Sequence, residues 1–256
     1  MFLEFKHLVT ESSGAILRIF FWGYSKVGLC GGLKIRRFWF DPRWPHMRVE
    51  VFTVVKGGGY ILPYYLKHYR SVLPNAIINI FDNGCTEEEI VLCKNAGCNI
   101  IKVSYPDYLP EFVARETIHK NNIWKNTSAD WVIICDQDEL LQITEADIEG
   151  LACDIVQFKG FNMVDIHNKK DPELFTYGFE SETYNKCSLF RPRIGDINYM
   201  PGAHDCKPLQ GVVNKLNYKL LHYNRSWFSE EEFGKKHGQA NKSIYKQLAK
   251  NVKKIK

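Results

Sequence analysis

The stretch Trp131-Val-Ile-Ile-Cys-Asp-Gln-Asp-Glu139 decides the fold, because an apolar run ends abruptly in three carboxylates, Asp136, Asp138 and Glu139. A short run of this kind, bounded by polar sequence, reads as a strand buried on both faces, as in parallel sheets covered by helices. Ligands of such sheets gather at the carboxyl ends of the strands. If the chain stays extended through residues 136–138, Asp136 and Asp138 point to the same side, and their charges repel unless a divalent cation lies between them. Oxygen ligands of this type favour Mg²⁺ or Mn²⁺, which commonly join protein carboxylates to substrate phosphates. The competing reading is a solvated acidic loop after a core strand.

Upstream, the same pattern repeats. Arg48 to Val55 alternates and then turns fully apolar, as a first strand does, and Lys56-Gly-Gly-Gly59 breaks it. Between Tyr60 and Val72 the apolar residues recur at three and four, with Pro63 near the start, which predicts a helix. Asn75 to Asp82 is a second strand ending in an acid, followed by the turn residues Asn83-Gly84. Thr86 with Glu89 three residues later is a capping box, so a second helix starts there and runs to about Gly97. Residues 99–103 give a third strand, 111–126 a helix, and 131–135 the fourth strand. This alternation predicts an α/β fold whose central sheet is mostly parallel and flanked by helices. Beyond residue 150 only 154–158 and 218–223 read as strands.

Charge divides the chain into three. Residues 1–46 hold seven Lys/Arg against three Asp/Glu, and residues 234–256 hold eight Lys and no acid. The body between, residues 47–233, keeps 19 basic and 26 acidic groups, net −7, although the whole chain is +5. Residues 1–46 read as a basic and aromatic extension, either poorly ordered or suited to lie on an anionic membrane surface. Arg18, Lys26 and neighbouring glycines leave it no span of about twenty apolar residues for a transmembrane helix. Residues 234–256 read as a Lys-rich helix or tail that is solvated or faces a membrane. Lacking interleaved aromatics except Tyr245, the tail does not predict nucleic-acid binding. The eight cysteines form no CxxC pair, which points to reduced thiols and a cytoplasmic setting, peripheral to a membrane if the basic ends engage one.

The order strand, helix, strand ending Phe-Asp82-Asn83-Gly-Cys-Thr, and then Asp136-Gln137-Asp138-Glu139 after a fourth strand, resembles the family-2-like glycosyltransferases of the GT-A fold. Lys186-Cys-Ser-Leu-Phe, Gly202-Ala-His204 and Leu220-Leu-His222-Tyr223 look like segments of a polysaccharide-modifying subgroup, and the likeness spans roughly residues 47–240. The resemblance implies a DxD motif in which Asp136 and Asp138 hold Mn²⁺ or Mg²⁺ against the diphosphate of a nucleotide-sugar. It further implies that Asp82, with Asn83, contacts the base or ribose, and that His222, in preference to His204, completes the metal site. The acceptor is a glycan or a lipid-linked molecule. A base for its hydroxyl comes from Asp205, Glu139 or His204, and Arg115 and Lys125 on the third helix are candidates for neutralising phosphate.

This chain departs from the pattern of the family it resembles in carrying Gly57-Gly58-Gly59 where many members have Asn-Glu. That change raises a second expectation, a weakened domain that binds nucleotide or glycan without efficient turnover. A glycine loop also offers backbone N–H groups to phosphate. A DxD after an apolar strand occurs in haloacid-dehalogenase-type phosphotransferases as well, but there it follows an early strand and precedes Thr, whereas here it precedes Glu139-Leu140.

Overall fold

The computed structural model describes residues 47–57, 59–106, 108–165, 167, 171–224 and 252–256. The N-terminal extension and most of the basic tail therefore lie outside the described residues. No helix among the described residues is long and apolar enough to cross a membrane.

The first half follows the predicted alternation: β1 (Val49–Val55), α1 (Leu62–Val72), β2 (Ile77–Asp82), α2 (Glu87–Asn95), β3 (Asn99–Lys102), α3 (Leu109–Asn122) and β4 (Trp131–Ile134). After a tight turn come β5 (Glu139–Leu141), α4 (Glu145–Glu149), β6 (Ile155–Val164), β7 (Tyr177–Glu180), β8 (Lys186–Phe190), β9 (Val213–His222) and β10 (Lys253–Lys254). The main sheet runs β10-β7-β6-β8-β4-β1-β2-β3. Its β3-β2-β1-β4 half is parallel, as expected. Past β4 the pairings along this path become antiparallel: β4 with β8, β8 with β6, β6 with β7 and β7 with β10. The last residues of the basic tail are thus an edge strand on β7 and not part of a helix.

β1 is buried along its whole length. Val49, Val51 and Val55 pack on the face that α1 covers, while Phe52 and Val54 face the opposite side with Trp124, which follows α3. In α1 the buried residues Leu62, Tyr65, Leu66 and Tyr69 fall on one helical stripe, and Pro63 sits in the first turn, where no N–H is needed. The capping box of α2 is formed: Glu89 N–H donates to the Thr86 hydroxyl at 3.3 Å, and Thr86 N–H donates to Glu89 Oε2 at 2.7 Å.

Two features position the site. Tyr65 and Tyr69 place their hydroxyls 3.4 and 3.3 Å from Cys135 Sγ, and Tyr69 also donates to the carbonyl of Glu139 at 3.1 Å. Helix α1 thereby fastens the turn after β4 from beneath. Strand β9 pairs with β5 on one side and β6 on the other, so that His222 lies in register with both Glu139 and Asn162.

Candidate active site

β1 lies between β2 and β4 in the sheet, and Asp82 and Asp136 sit at or just past the same ends of these parallel strands. Across the sheet they are two strand spacings apart, roughly 10 Å. The chain is not extended at the DxD. Glu139 N–H donates to the carbonyl of Asp136 at 3.0 Å, closing a turn. This corrects the expectation that Asp136 and Asp138 face one shared cation, since the turn sends the two carboxylates to different partners.

Asp136 meets two buried ammonium groups: Lys120 Nζ, from α3, lies 2.5 Å from its Oδ1 and Lys186 Nζ, from β8, 2.7 Å from its Oδ2. Burial raises the Asp136 pKa, but the two lysines outweigh it and hold the carboxyl far below the ordinary range. Burial likewise lowers Lys186, and Asp136 and Glu139 more than reverse it, so the lysine stays charged. Lys120 also pairs with Glu116 one turn earlier, at 3.3 Å.

Glu139 is 1% exposed, with Oε1 2.6 Å from Lys186 Nζ and Oε2 accepting the Asp136 N–H at 3.0 Å. Both oxygens are engaged inward. Glu139 therefore props the turn, and as a base for an acceptor hydroxyl it has no oxygen to offer.

Asp138 keeps 28% of its side-chain surface exposed and points toward β9, where its Oδ2 is 3.4 Å from His222 Nε2. Its carbonyl accepts the N–H of Tyr223 at 2.8 Å, which ties the turn to the end of β9. Burial raises the pKa of Asp138 and His222 lowers it, with a net downward shift. The other ring nitrogen of His222 is 2.7 Å from Asn162 Oδ1, and the ring is stacked on Tyr184 with centroids 4.1 Å apart.

Tyr184 also touches His204, edge to face at 5.8 Å, so both candidate histidines reach the same aromatic ring. Only His222 faces Asp138. His204 Nδ1 is buried without a hydrogen bond, and burial, then Lys186, pushes the ring's pKa down to about 4. Asp205 is exposed on the following residue, and its carbonyl accepts the Met200 N–H.

The remaining candidates lie apart from this cluster. Asp82 Oδ1 accepts the N–H groups of Gly84 and Cys85 at 2.9 and 2.7 Å, and Asn83 Oδ1 accepts that of Tyr105 at 2.8 Å. Both residues thus shape the loops that follow β2 and β3. Arg115 is exposed on α3, and Lys125 is committed to Asp196 at 2.9 Å. The lysines that reach the DxD are instead Lys120 and Lys186. One signal was present for each: Lys120 lies four residues after Glu116 on the helix before the DxD strand, and Lys186 opens a buried strand. The glycine loop offers less than expected. Gly59 N–H donates to Glu89 Oε1 at 2.5 Å, so this donor is not free for phosphate. A Cβ there would meet the same oxygen at 2.0 Å.

Gly160 sets the position of Tyr184. A Cβ on this β6 residue would lie 2.4 Å from the backbone of Tyr184, so the 181–185 turn rests directly on the sheet. Asn185 Oδ1 accepts the Gly160 N–H at 2.8 Å, and the Gly160 carbonyl accepts the N–H of Ser181 at 2.9 Å. Gly160→Ala is expected to lift this turn, cost about 1–3 kcal/mol by overpacking, and separate Tyr184 from His222. Urea unfolding measures the first effect and a crystal structure of the variant the second.

No family model matches the chain, and no curated protein matches it by sequence. Solved structures with a similar chain path include TarS of S. aureus (12% identity, 79% of this chain and 42% of that one, TM-score 0.42). Another is glucosyl-3-phosphoglycerate synthase of Mycobacterium tuberculosis with Mn²⁺, uridine-diphosphate and phosphoglyceric acid (12% identity, 78% and 77%, TM-score 0.39). A third is the mannosyltransferase PcManGT of Pyrobaculum calidifontis with GDP-Man and Mn²⁺ (12% identity, 43% and 35%, TM-score 0.32). The chain spans less than half the length of TarS. At these identities and TM-scores the likenesses decide nothing about substrate or mechanism, which have to come from the side chains.

Proposed function

We propose that the surface over the carboxyl ends of β2, β1 and β4 binds a nucleotide-diphosphate sugar and that the protein transfers its sugar to a hydroxyl of a glycan or lipid-linked acceptor. A divalent cation, Mn²⁺ or Mg²⁺, would be held by Asp138 and His222. The observation that carries this reading is the charge of the cluster around the DxD turn. Glu116, Asp136, Asp138 and Glu139 bring four negative charges when ionised, and Lys120 and Lys186 bring two positive ones. The excess of two is the complement of one divalent cation.

The donor set fits such an ion. Among the described residues no three His, Cys, Asp or Glu side chains form a closed metal cluster. Mg²⁺ and its like seldom need one, since one or two protein ligands plus substrate phosphates usually suffice. Two ligands at right angles around such an ion, each at ~2.1 Å, lie roughly 3 Å apart. The 3.4 Å between Asp138 Oδ2 and His222 Nε2 is close to that spacing. When bound, the cation supplies neutralisation of the charge that develops on the diphosphate as the sugar leaves.

The chain's own groups do the rest. Lys120 and Lys186 cancel the charge of Asp136, so the carboxylate at the end of β4 does not repel the diphosphate. His204 is one candidate for taking the acceptor's proton, as a weak base whose pKa burial and Lys186 lower to about 4. Asp205, exposed beside it, is the second candidate for that role. Asp82 and Asn83 shape the loops where the base and ribose would rest.

The Gly59–Glu89 hydrogen bond favours the second reading, a domain that binds the donor and turns it over poorly. One experiment addresses both. Thermal unfolding with a panel of nucleotide-diphosphate sugars, with and without Mn²⁺, should show stabilisation only when both are present. At a hundred times the dissociation constant the gain is about 2.7 kcal/mol. Stabilisation without release of nucleoside diphosphate across an acceptor panel selects the binding domain. No stabilisation by any pair rejects both.

A further inference from the structure

His222 reaches Asp138 through one nitrogen, and which tautomer it adopts decides whether that nitrogen offers a lone pair or a proton. Its Nδ1 lies 2.7 Å from Asn162 Oδ1, whereas Nε2 lies 3.4 Å from Asp138 Oδ2. An amide oxygen can only accept, so its contact with Nδ1 calls for the ring proton on that nitrogen. Asn162 is 2% exposed and sits directly across from His222 in the β6–β9 register, so its amide has little freedom to withdraw. Tyr184 stacks over the face of the His222 ring at an interplanar angle of 27°.

We infer that Asn162 is the positioning residue of the cation site: its side-chain carbonyl accepts the Nδ1 proton of His222 and thereby presents Nε2 as a lone-pair donor beside Asp138. The inference rests on the proposal that His222 binds the cation. A metal-binding imidazole generally gives its second N–H to a carbonyl or carboxylate, and removing that partner costs about 10–100-fold in metal affinity. Nothing in the sequence marks Asn162 for this role. It lies mid-strand, 60 residues before its histidine, and only the parallel pairing of β6 with β9 joins them.

The test reads the tautomer separately from the metal. In protein labelled with ¹⁵N-histidine, two-bond proton–nitrogen spectra of the metal-free form should show His222 protonated at Nδ1. Asn162→Asp, which can only accept, should keep that tautomer and bind Mn²⁺ at least as tightly as the unaltered protein in electron paramagnetic resonance titrations. Asn162→Ala should populate the Nε2–H form and weaken Mn²⁺ by about 10–100-fold. Should the alanine variant not fold, the tautomer of the unaltered protein decides, because an Asn162 that donated its amide N–H to Nδ1 would leave the ring proton on Nε2. An Nε2–H tautomer in the unaltered protein, or loss of the Nδ1–H form in Asn162→Asp, overturns the inference. An Nδ1–H tautomer in a protein that binds no Mn²⁺ upholds the positioning by Asn162 and overturns the cation reading of His222.

Discussion

Lys186→Met is expected to lower the unfolding free energy by about 3–5 kcal/mol, the usual cost of removing one partner from a buried ion pair. The ammonium group lies 2.7 Å from Asp136 and 2.6 Å from Glu139, and 4% of the lysine side chain is exposed. Methionine fills a similar volume, so the loss is electrostatic. Asp136 retains Lys120 and is 31% exposed, and solvent therefore absorbs part of its loss. Glu139, 1% exposed, keeps only the Asp136 N–H and bears most of the penalty. Urea denaturation at pH 7 measures the effect, and a variant with an unchanged midpoint would show that the pair contributes nothing.

The pH dependence has a definite sign. The lowered pKa of Asp136 contributes stability that is present above its unfolded value of about 3.9 and is lost as pH falls. The raised pKa of Lys186 contributes stability that is present below its unfolded value of about 10.4 and is lost as pH rises through the higher folded value. Between these limits the contribution is level. Glu139 behaves oppositely, because burial raises its pKa and makes its ionised form costly. In Lys186→Met that cost grows, and the carboxyl takes up a proton more readily. The difference between variant and unaltered protein should therefore shrink as pH is lowered from 8 to 5.

The same lysines show where sequence reading stops. The strands of the parallel half were legible because each is an apolar run closed by a turn residue or an acid, and α2 because Thr86 and Glu89 form a local cap. Those signals act within a few residues. Lys120 and Lys186 are separated by 66 positions and meet only because β8 joins β4 from the far side of the sheet. Before that pairing is known, a lysine on a helix reads as solvated. The preference for His222 over His204 rests on the family resemblance. The two are in fact neighbours around Tyr184, and the turn at Asp138 is what distinguishes them. Asp136 misled for a physical reason: two acids two residues apart share a face only in an extended chain, and Tyr65 and Tyr69 of α1 hold this segment in a turn.

Asp138→Asn should give the opposite result to Lys186→Met, a nearly intact fold with little activity. Asp138 keeps 28% of its side chain exposed, and the nearest ring nitrogen of His222 is 3.4 Å away. The backbone carbonyl that anchors the turn to Tyr223 is untouched by the substitution. Asp138 is half-buried and its contact with His222 is long, so stability should fall by no more than about 1 kcal/mol. Removing one of four clustered carboxylates also relieves repulsion, which offsets the weakened contact with His222. Transfer should fall by roughly a thousandfold, because a metal's neutralisation of the leaving group contributes several kcal/mol to the barrier. Nucleoside diphosphate release, measured with the donor and Mn²⁺ that stabilise the unaltered protein, reads this directly, and undiminished release would remove Asp138 from the site. The two substitutions lie on opposite sides of one turn, so their separation into a loss of stability and a loss of turnover distinguishes the lysine ion pairs that hold the turn from the half-buried carboxylate that the turn presents to His222.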